Sequence, residues 1–193
     1  VYLDVLFLDA QRGFVVGAYG KFIATVDGGK TWTPGKPTDD EVHFNRIVQG
    51  EKGALLIAGE SGTVLVSHDG GKKWKRSEVP YEGSLFAAVP IGAGAVVIGG
   101  LRGHILTSAD GGAEWESHES DVKVLVMGGT MLKDGRVVLG GQGGNFFISR
   151  DQGKSFTHWK PETFGSSAAE LVEADDGNLV VVGETGAVRL KLP

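Results

Sequence analysis

The sequence predicts an all-β fold, a β-propeller of four-stranded antiparallel blades. Three observations predict it. A turn motif recurs at a constant period: Thr25, Asp27, Gly29 and Trp32; then Ser67, Asp69, Gly71 and Trp74; then Ser108, Asp110, Gly112 and Trp115; then a worn copy, Ser149, Asp151, Gly153 and Phe156. The aspartates at 27, 69, 110 and 151 recur every 41 or 42 residues, a period that marks stacked supersecondary units. Glycine makes up 32 of the 193 residues, against roughly 7% of an average protein, and it falls at fixed points of each unit, where turns need it. Within each unit the second strand is apolar at nearly every position, as in 54–59 and 95–100. Such a strand is covered on both faces, as the middle strands of propeller blades are.

The elements follow in order. Unit one reads as strands over 4–9, 14–17, 22–25 and 31–36, with turns at 10–13 and 18–21 and the aspartate motif between the last two strands. Unit two gives 43–48, 54–59 and 63–67; unit three 85–89, 95–100 and 104–108; unit four 123–127, 136–141 and 145–149; unit five 169–172, 178–183 and 187–192. Short β-branched and aromatic runs bounded by glycine turns are antiparallel strands. No helical periodicity of useful length competes with them. The blades fall at about 1–40, 41–83, 84–121, 122–163 and 164–193, the last lacking its motif and outer strand, within one propeller spanning 1–193. Five blades with a bare end predict that the chain is part of a larger ring, of seven blades; the alternative is a closed five-blade ring with an imperfect seam.

Composition narrows the function. The net charge is −5 and the densest basic run is Lys72-Lys73-Trp74-Lys75-Arg76, so the clustered cations of a nucleic-acid-binding surface are missing. There is no cysteine, which removes disulfides, thiol chemistry and thiolate metal sites. No apolar run approaches the roughly 18 residues of a membrane helix. The five histidines, at 43, 68, 104, 118 and 158, form no closely spaced ligand pair, and neither a phosphate-binding loop nor a serine elbow is present. No metal and no cofactor are expected. The chain begins at Val1, which implies a processed or cut N-terminus.

The regular aspartates invite a catalytic reading, but copies distributed around a ring do not converge on one substrate. In a turn, Asp accepts backbone N–H groups a few residues on, the glycines supply positive φ, the Ser or Thr ties the same turn, and the aromatic residue supplies apolar area between blades. No catalytic residue is assigned.

The motif Ser/Thr-x-Asp-Gly-Gly-x-x-Trp resembles the Asp-box, or BNR repeat, of sialidases, other glycoside hydrolases and sortilin-type receptors. The wider order is more specific: Phe7-Leu8-Asp9, Arg12 to Gly17, Gly20 to Thr25, Asp27-Gly28-Gly29 and Thr31-Trp32. It is similar to that of the photosystem II stability and assembly factor family and its relatives in non-photosynthetic bacteria, and the resemblance runs through all five units. It implies a non-enzymatic scaffold for protein–protein interaction that assists assembly or stability of a membrane complex from outside the cytoplasm, in the periplasm, the thylakoid lumen or secreted. The alternative is a carbohydrate-active module, a glycoside hydrolase or sugar-binding propeller. The segment nearest to a sialidase arginine signature, Phe44-Asn45-Arg46-Ile47-Val48, has an inserted Asn and lacks the Pro.

Propeller function sits in loops at one end of the ring. The aspartate motif joins strands three and four, so the turns joining strands two and three lie at the opposite end. That end carries the candidate partner-binding residues Tyr19, Lys21, Arg102, His104 and Asn145, with Trp159 from a neighbouring connector. A protein partner is expected there, with no nucleic acid and no direct membrane insertion.

Overall fold

The computed structural model describes residues 1–193, the side chain of Glu119 excepted. Blade 1 comprises β1 (Tyr2–Phe7), β2 (Gly13–Gly17), β3 (Phe22–Thr25) and β4 (Thr33–Pro34); blade 2, β5 (Phe44–Gln49), β6 (Leu55–Gly59), β7 (Val64–Ser67) and β8 (Lys75–Ser77). Blade 3 comprises β9 (Leu85–Gly92), β10 (Ala95–Gly100), β11 (His104–Ser108) and β12 (Glu116–Glu119); blade 4, β13 (Val126–Met131), β14 (Val137–Gly141), β15 (Phe146–Ser149) and β16 (Thr157–Trp159). Blade 5 holds three strands, β17 (Ala168–Glu173), β18 (Leu179–Gly183) and β19 (Gly186–Leu190). Each sheet is antiparallel with its strands in sequence order. The first strands lie innermost, β1 beside β5, β5 beside β9, β9 beside β13 and β13 beside β17. No helix of the described residues is long and apolar enough to cross a membrane.

The continuous apolar runs are explained by alternation. Successive side chains of a strand point to opposite faces. In blade 2, Leu55, Ile57 and Leu65 join Phe14, Val16 and Phe22 of blade 1 in one core cluster. Leu56, Ala58, Val64 and Val66 join Val96, Ile98 and Leu106 of blade 3 in the next. The same division gives cores between blades 3 and 4 and between blades 4 and 5. At the two ends no further sheet covers the array, and Val5 and Phe7 of blade 1 and Val172 and Val182 of blade 5 are 57%, 45%, 54% and 45% exposed.

Some boundaries differ from those read in the sequence. The first strand of blade 4 begins at Val126 rather than Lys123, because Val124 and Leu125 give their carbonyls to the turn end: Val124 accepts the Gly103 N–H at 2.6 Å and Leu125 accepts that of Gln142 at 2.9 Å. The first strand of blade 1 runs over Tyr2–Phe7, since Asp9 belongs to the following turn, where its carboxylate accepts the N–H groups of Gln11 and Arg12. Each innermost strand carries a register shift after its first residue pair, as between Phe44 and Arg46 or Ala168 and Glu170; such bulges re-aim the side chain that follows.

The repeated turn is built from a hydroxyl outward. Ser108 Oγ donates to Asp110 Oδ1 at 2.8 Å and accepts the Gly112 N–H at 2.8 Å. Ser67, Ser149 and Thr25 do the same for Asp69 and Gly71, Asp151 and Gly153, and Asp27 and Gly29. The aspartate then reaches forward to the N–H four residues on, from Thr31, Lys73, Glu114 and Ser155. The second glycine has positive φ in all four copies, from 83° to 93°, and in blades 2 to 4 it packs against the preceding blade. A β-carbon at Gly71 would lie 2.7 Å from the Phe14 ring, and one at Gly112 or Gly153 would lie 3.0 Å from Val66 or Thr107.

The aromatic residue completes the fastener. Trp32 and Trp74 donate their indole N–H groups to the Gly29 and Gly71 carbonyls at 3.1 Å. Trp74 also packs edge-on against Phe22 of blade 1, 5.8 Å between ring centres. Trp115 donates to Ser77 Oγ of blade 2 at 2.8 Å, and that hydroxyl donates in turn to the Gly112 carbonyl. Phe156 has no N–H to give, and there Thr107 of blade 3 donates to the Gly153 carbonyl at 2.8 Å instead.

Two outcomes follow. Ser108 is 1% exposed, so Ser108→Ala leaves the Gly112 N–H without a partner and lowers unfolding stability by about 1–3 kcal/mol, measured by urea titration. The carboxyls of Asp27 and Asp151 are held down to about 2, first by the Thr31 and Ser155 hydroxyls and then by the N–H groups of the same residues. A carboxyl depressed in the folded state stabilises it above the unfolded value near 4 and ceases to do so as pH falls through the folded value. Stability is therefore expected to fall between pH 4 and pH 2, and Asp27→Asn with Asp151→Asn to flatten that slope in an acid titration followed by circular dichroism.

Candidate functional site

At the Asp-box end each aspartate is engaged by its own turn, Asp27 and Asp151 through both oxygens and Asp69 and Asp110 through one. Those of Asp69 and Asp110 are also held below the usual range, chiefly by the Lys73 and Glu114 N–H groups. An acid kept ionised by its own turn has no proton to donate, and the four copies belong to four different sheets. Among the described residues no group of three or more His, Asp and Glu side chains has the arrangement of a metal site.

The opposite end is built differently. There the turn between the second and third strands of blades 1 to 4 holds two successive left-handed residues: Tyr19-Gly20 (φ 56° and 66°), Ser61-Gly62 (54° and 63°), Arg102-Gly103 (56° and 73°) and Gly143-Gly144 (65° and 72°). The second must be glycine in blades 2 to 4, since a β-carbon at Gly62, Gly103 or Gly144 would collide with the backbone oxygen of Tyr81, Val122 or Phe164. Its N–H instead donates to the connector between blades, Gly20 to Val42, Gly62 to Gly83 and Gly103 to Val124, at 2.6–2.9 Å. The first residue faces outward. A left-handed conformation costs an L-residue about 1–2 kcal/mol, and for a bulky side chain it is an outlier of the kind found at functional sites. Tyr19 is 72% exposed, and Arg102 is exposed on the same end.

Aromatic and imidazole rings flank these tips. The Tyr19 ring stands edge-on to His43, 4.8 Å between centres. Tyr81 lies over His104 at 4.3 Å, tilted by 30°, and its hydroxyl donates to the Leu101 carbonyl at 3.1 Å. Burial pushes the Tyr81 phenol up, offset in part by the Arg102 charge. The His104 Nδ1 is buried without a partner. Lys21 places its ammonium over the Tyr2 ring at 5.7 Å.

Four of the six residues singled out in the sequence thus stand at this surface: Tyr19 and Lys21 on blade 1, Arg102 and His104 on blade 3, with Ser61 and Tyr81 of blade 2 between them. The other two turn inward. Asn145 is 7% exposed; its amide donates to the Gln142 carbonyl at 2.7 Å and its oxygen meets His158 Nε2 at 2.8 Å. Trp159 packs on Phe146 at 5.0 Å, and Phe164 covers the same ring at 5.9 Å. Sequence reasoning missed His43 as the neighbour of Tyr19; a histidine opening strand two residues after an acidic connector was the available signal.

Comparison with known proteins places this arrangement. The family model described as "Photosynthesis system II assembly factor YCF48" matches residues 1–191. The photosystem II assembly lipoprotein Ycf48 of Synechococcus sp. (strain CC9902) is 36% identical over 95 residues, 45% of this chain and 28% of that protein. A solved structure of YCF48 bound to D1 peptide superposes with a TM-score of 0.73 at 23% identity, over 94% of this chain and 60% of the other. The virginiamycin B lyase of Staphylococcus aureus superposes with a TM-score of 0.79 at 14% identity, over 100% of this chain and 70% of the lyase. Likeness at that identity is a likeness of fold alone. The chain spans less than a third of the length of the curated relatives it matches. With the match running through all five blades, the chain belongs to the YCF48 family of photosystem II assembly factors.

Proposed function

We propose that this chain is a non-catalytic scaffold that captures a polypeptide segment of a membrane protein complex, of the photosystem II type, on the end opposite its Asp-box turns. The observation that carries the reading is the set of strained left-handed tips that hold Tyr19 and Arg102 outward on one face. Exposed aromatic and arginine side chains are the types enriched at protein contacts. The D1 peptide bound by a YCF48 of the same fold supports a peptide ligand. Relatives described as a lipoprotein and as chloroplastic support an extracytoplasmic location. The uncovered apolar faces of blades 1 and 5 support the reading that the five blades form part of a larger ring, of seven.

A glycosidase would need two carboxyls free to act as acid and nucleophile or base. Of the acids on the inner strands, Asp4 and Glu170 are instead both paired with Arg46 and Glu173 accepts the Lys133 N–H at 2.6 Å, which favours the scaffold over the carbohydrate-active alternative.

The test is binding of a fluorescent synthetic D1 peptide, followed by anisotropy. Saturable binding is expected, weakened about tenfold by Arg102→Ala or Tyr19→Ala, the effect of losing about 1.4 kcal/mol. Lys72→Ala, at the Asp-box end, leaves it unchanged. Absence of binding, equal weakening by Lys72→Ala, or hydrolysis of an aryl-glycoside panel overturns the reading.

A further inference from the structure

One position on the inner strands is treated unlike the rest. The residue that resumes pairing after the bulge is Asp4 in blade 1, Arg46 in blade 2, Ala87 in blade 3, Gly128 in blade 4 and Glu170 in blade 5, paired with Val16, Ala58, Gly99, Gly140 and Val182 respectively. Three of these five equivalent sites are charged, and the charges meet. Arg46 Nη1 lies 2.5 Å from Glu170 Oε2, and Arg46 Nε lies 3.6 Å from Asp4 Oδ2. The side chains are 26%, 40% and 17% exposed for Arg46, Glu170 and Asp4.

Both carboxylates are fixed before the arginine arrives. Asp4 accepts the Ile47 N–H at 2.8 Å on one oxygen and the Val5 N–H at 2.9 Å on the other. Glu170 accepts the Leu171 N–H at 3.1 Å on the oxygen that Arg46 does not use. The first of these bonds already joins blade 1 to blade 2. Arg46 then reaches past its neighbours to blade 5, which is not adjacent to blade 2 in the sequence of blades. Among the described residues it is the one side chain of blades 1 and 2 that forms an ion pair with blade 5.

We infer that Asp4, Arg46 and Glu170 form a clasp across the central channel that fixes the distance of blade 5 from blades 1 and 2, and with it the curvature of the array. Elsewhere blades are held to their immediate neighbours, by apolar cores and by hydrogen bonds such as those of Ser77 and Thr107 to the next blade's glycine carbonyl. The half-buried guanidinium is held directionally by the anchored Glu170 carboxylate, while Asp4, 3.6 Å from Nε and beyond hydrogen-bond distance, attracts it by charge. Removing one member leaves a partly desolvated charge without its partner, so the clasp has a defined engaged state. At Gly128, the equivalent site of blade 4, a β-carbon would meet the Ala169 backbone oxygen.

The experiment is a distance measurement between blades 1 and 5. The chain has no cysteine, so spin labels placed by Val26→Cys and Lys191→Cys, both exposed, report a single pair by pulsed dipolar spectroscopy. The unaltered clasp is expected to give one narrow distance distribution. Arg46→Met and Glu170→Gln are each expected to broaden it and move it to longer distance, and the double variant to do no more than either alone, because both remove the same contact. Circular dichroism and the thermal midpoint check that each variant is folded. If Arg46→Met fails to fold, Glu170→Gln, which removes a charge from a side chain 40% exposed, carries the test. An unchanged distribution in folded Glu170→Gln, or additive effects in the double variant, overturns the clasp.

Discussion

Everything else in this fold hangs on one hydroxyl in each of blades 1 to 4. The Ser or Thr that ends the third strand donates to the aspartate and accepts the N–H of the glycine two residues beyond that aspartate. That double role sets the glycine in its left-handed conformation, in blades 2 to 4 with its bare Cα against the preceding blade. The aspartate holds the far arm of the turn, and the aromatic residue closes the gap to the neighbouring sheet. The hydrogen bonds are individually modest. Their effect is positional: they bring two sheets to a separation at which the alternating Leu, Ile and Val side chains interdigitate. Where the aromatic residue lacks an N–H, as Phe156 does, Thr107 of the preceding blade takes over the carbonyl it would have served. The satisfaction of that carbonyl is the invariant feature, and the indole is one means to it.

This constraint divides the molecule into two ends with different freedom. At the Asp-box end nearly every polar side-chain atom of the motif is engaged in its own turn, and the glycines are pressed between sheets. At the other end the glycine N–H groups of the tips meet the blade connectors, with side-chain bonds added by neighbours such as Tyr81 and Asn145. The residue before each glycine is thereby held outward by a turn that asks nothing of its side chain. Tyrosine, serine, arginine and glycine occupy that place in successive blades. A fold that fixes the backbone of a tip while leaving its side chain unassigned is well suited to presenting a varied recognition surface. The inner ends of the strands add a third element, an ion triad that spans blades rather than neighbours.

The sequence carried the periodic features in full view. The 41- or 42-residue step, the turn glycines and the doubly apolar middle strands identify stacked blades because each is a local consequence of the fold. The fixed spacing also separated the two ends, since strand order alone assigns each turn to one or the other. What it did not carry depends on contacts between distant positions. Asn145 occupies the same sequence slot as His104, yet its amide closes on the Gln142 carbonyl and on His158, because Asn is short enough to reach back to its own turn. Trp159 reads as an exposed connector aromatic but meets Phe146 across two strands. The Asp4–Arg46–Glu170 triad joins residues more than 100 positions apart, and each innermost strand has a bulge that shifts the alternation which would have oriented them. Arg46 in the sequence invites comparison with a sialidase signature; in the fold it is held between two carboxylates.

The central claim is that the Asp-box end fastens the blades and the opposite end makes the contact. Nitrogen–proton correlation spectra of the labelled chain, recorded while the peptide ligand of the proposed function is added, test it most directly. The account predicts that shifts concentrate at the amides of Tyr19 to Lys21, Ser61, and Arg102 to His104, while those of Gly29, Gly71, Gly112 and Gly153 stay in place. Shifts centred on the four Asp-box glycines, with the tips unmoved, would contradict it.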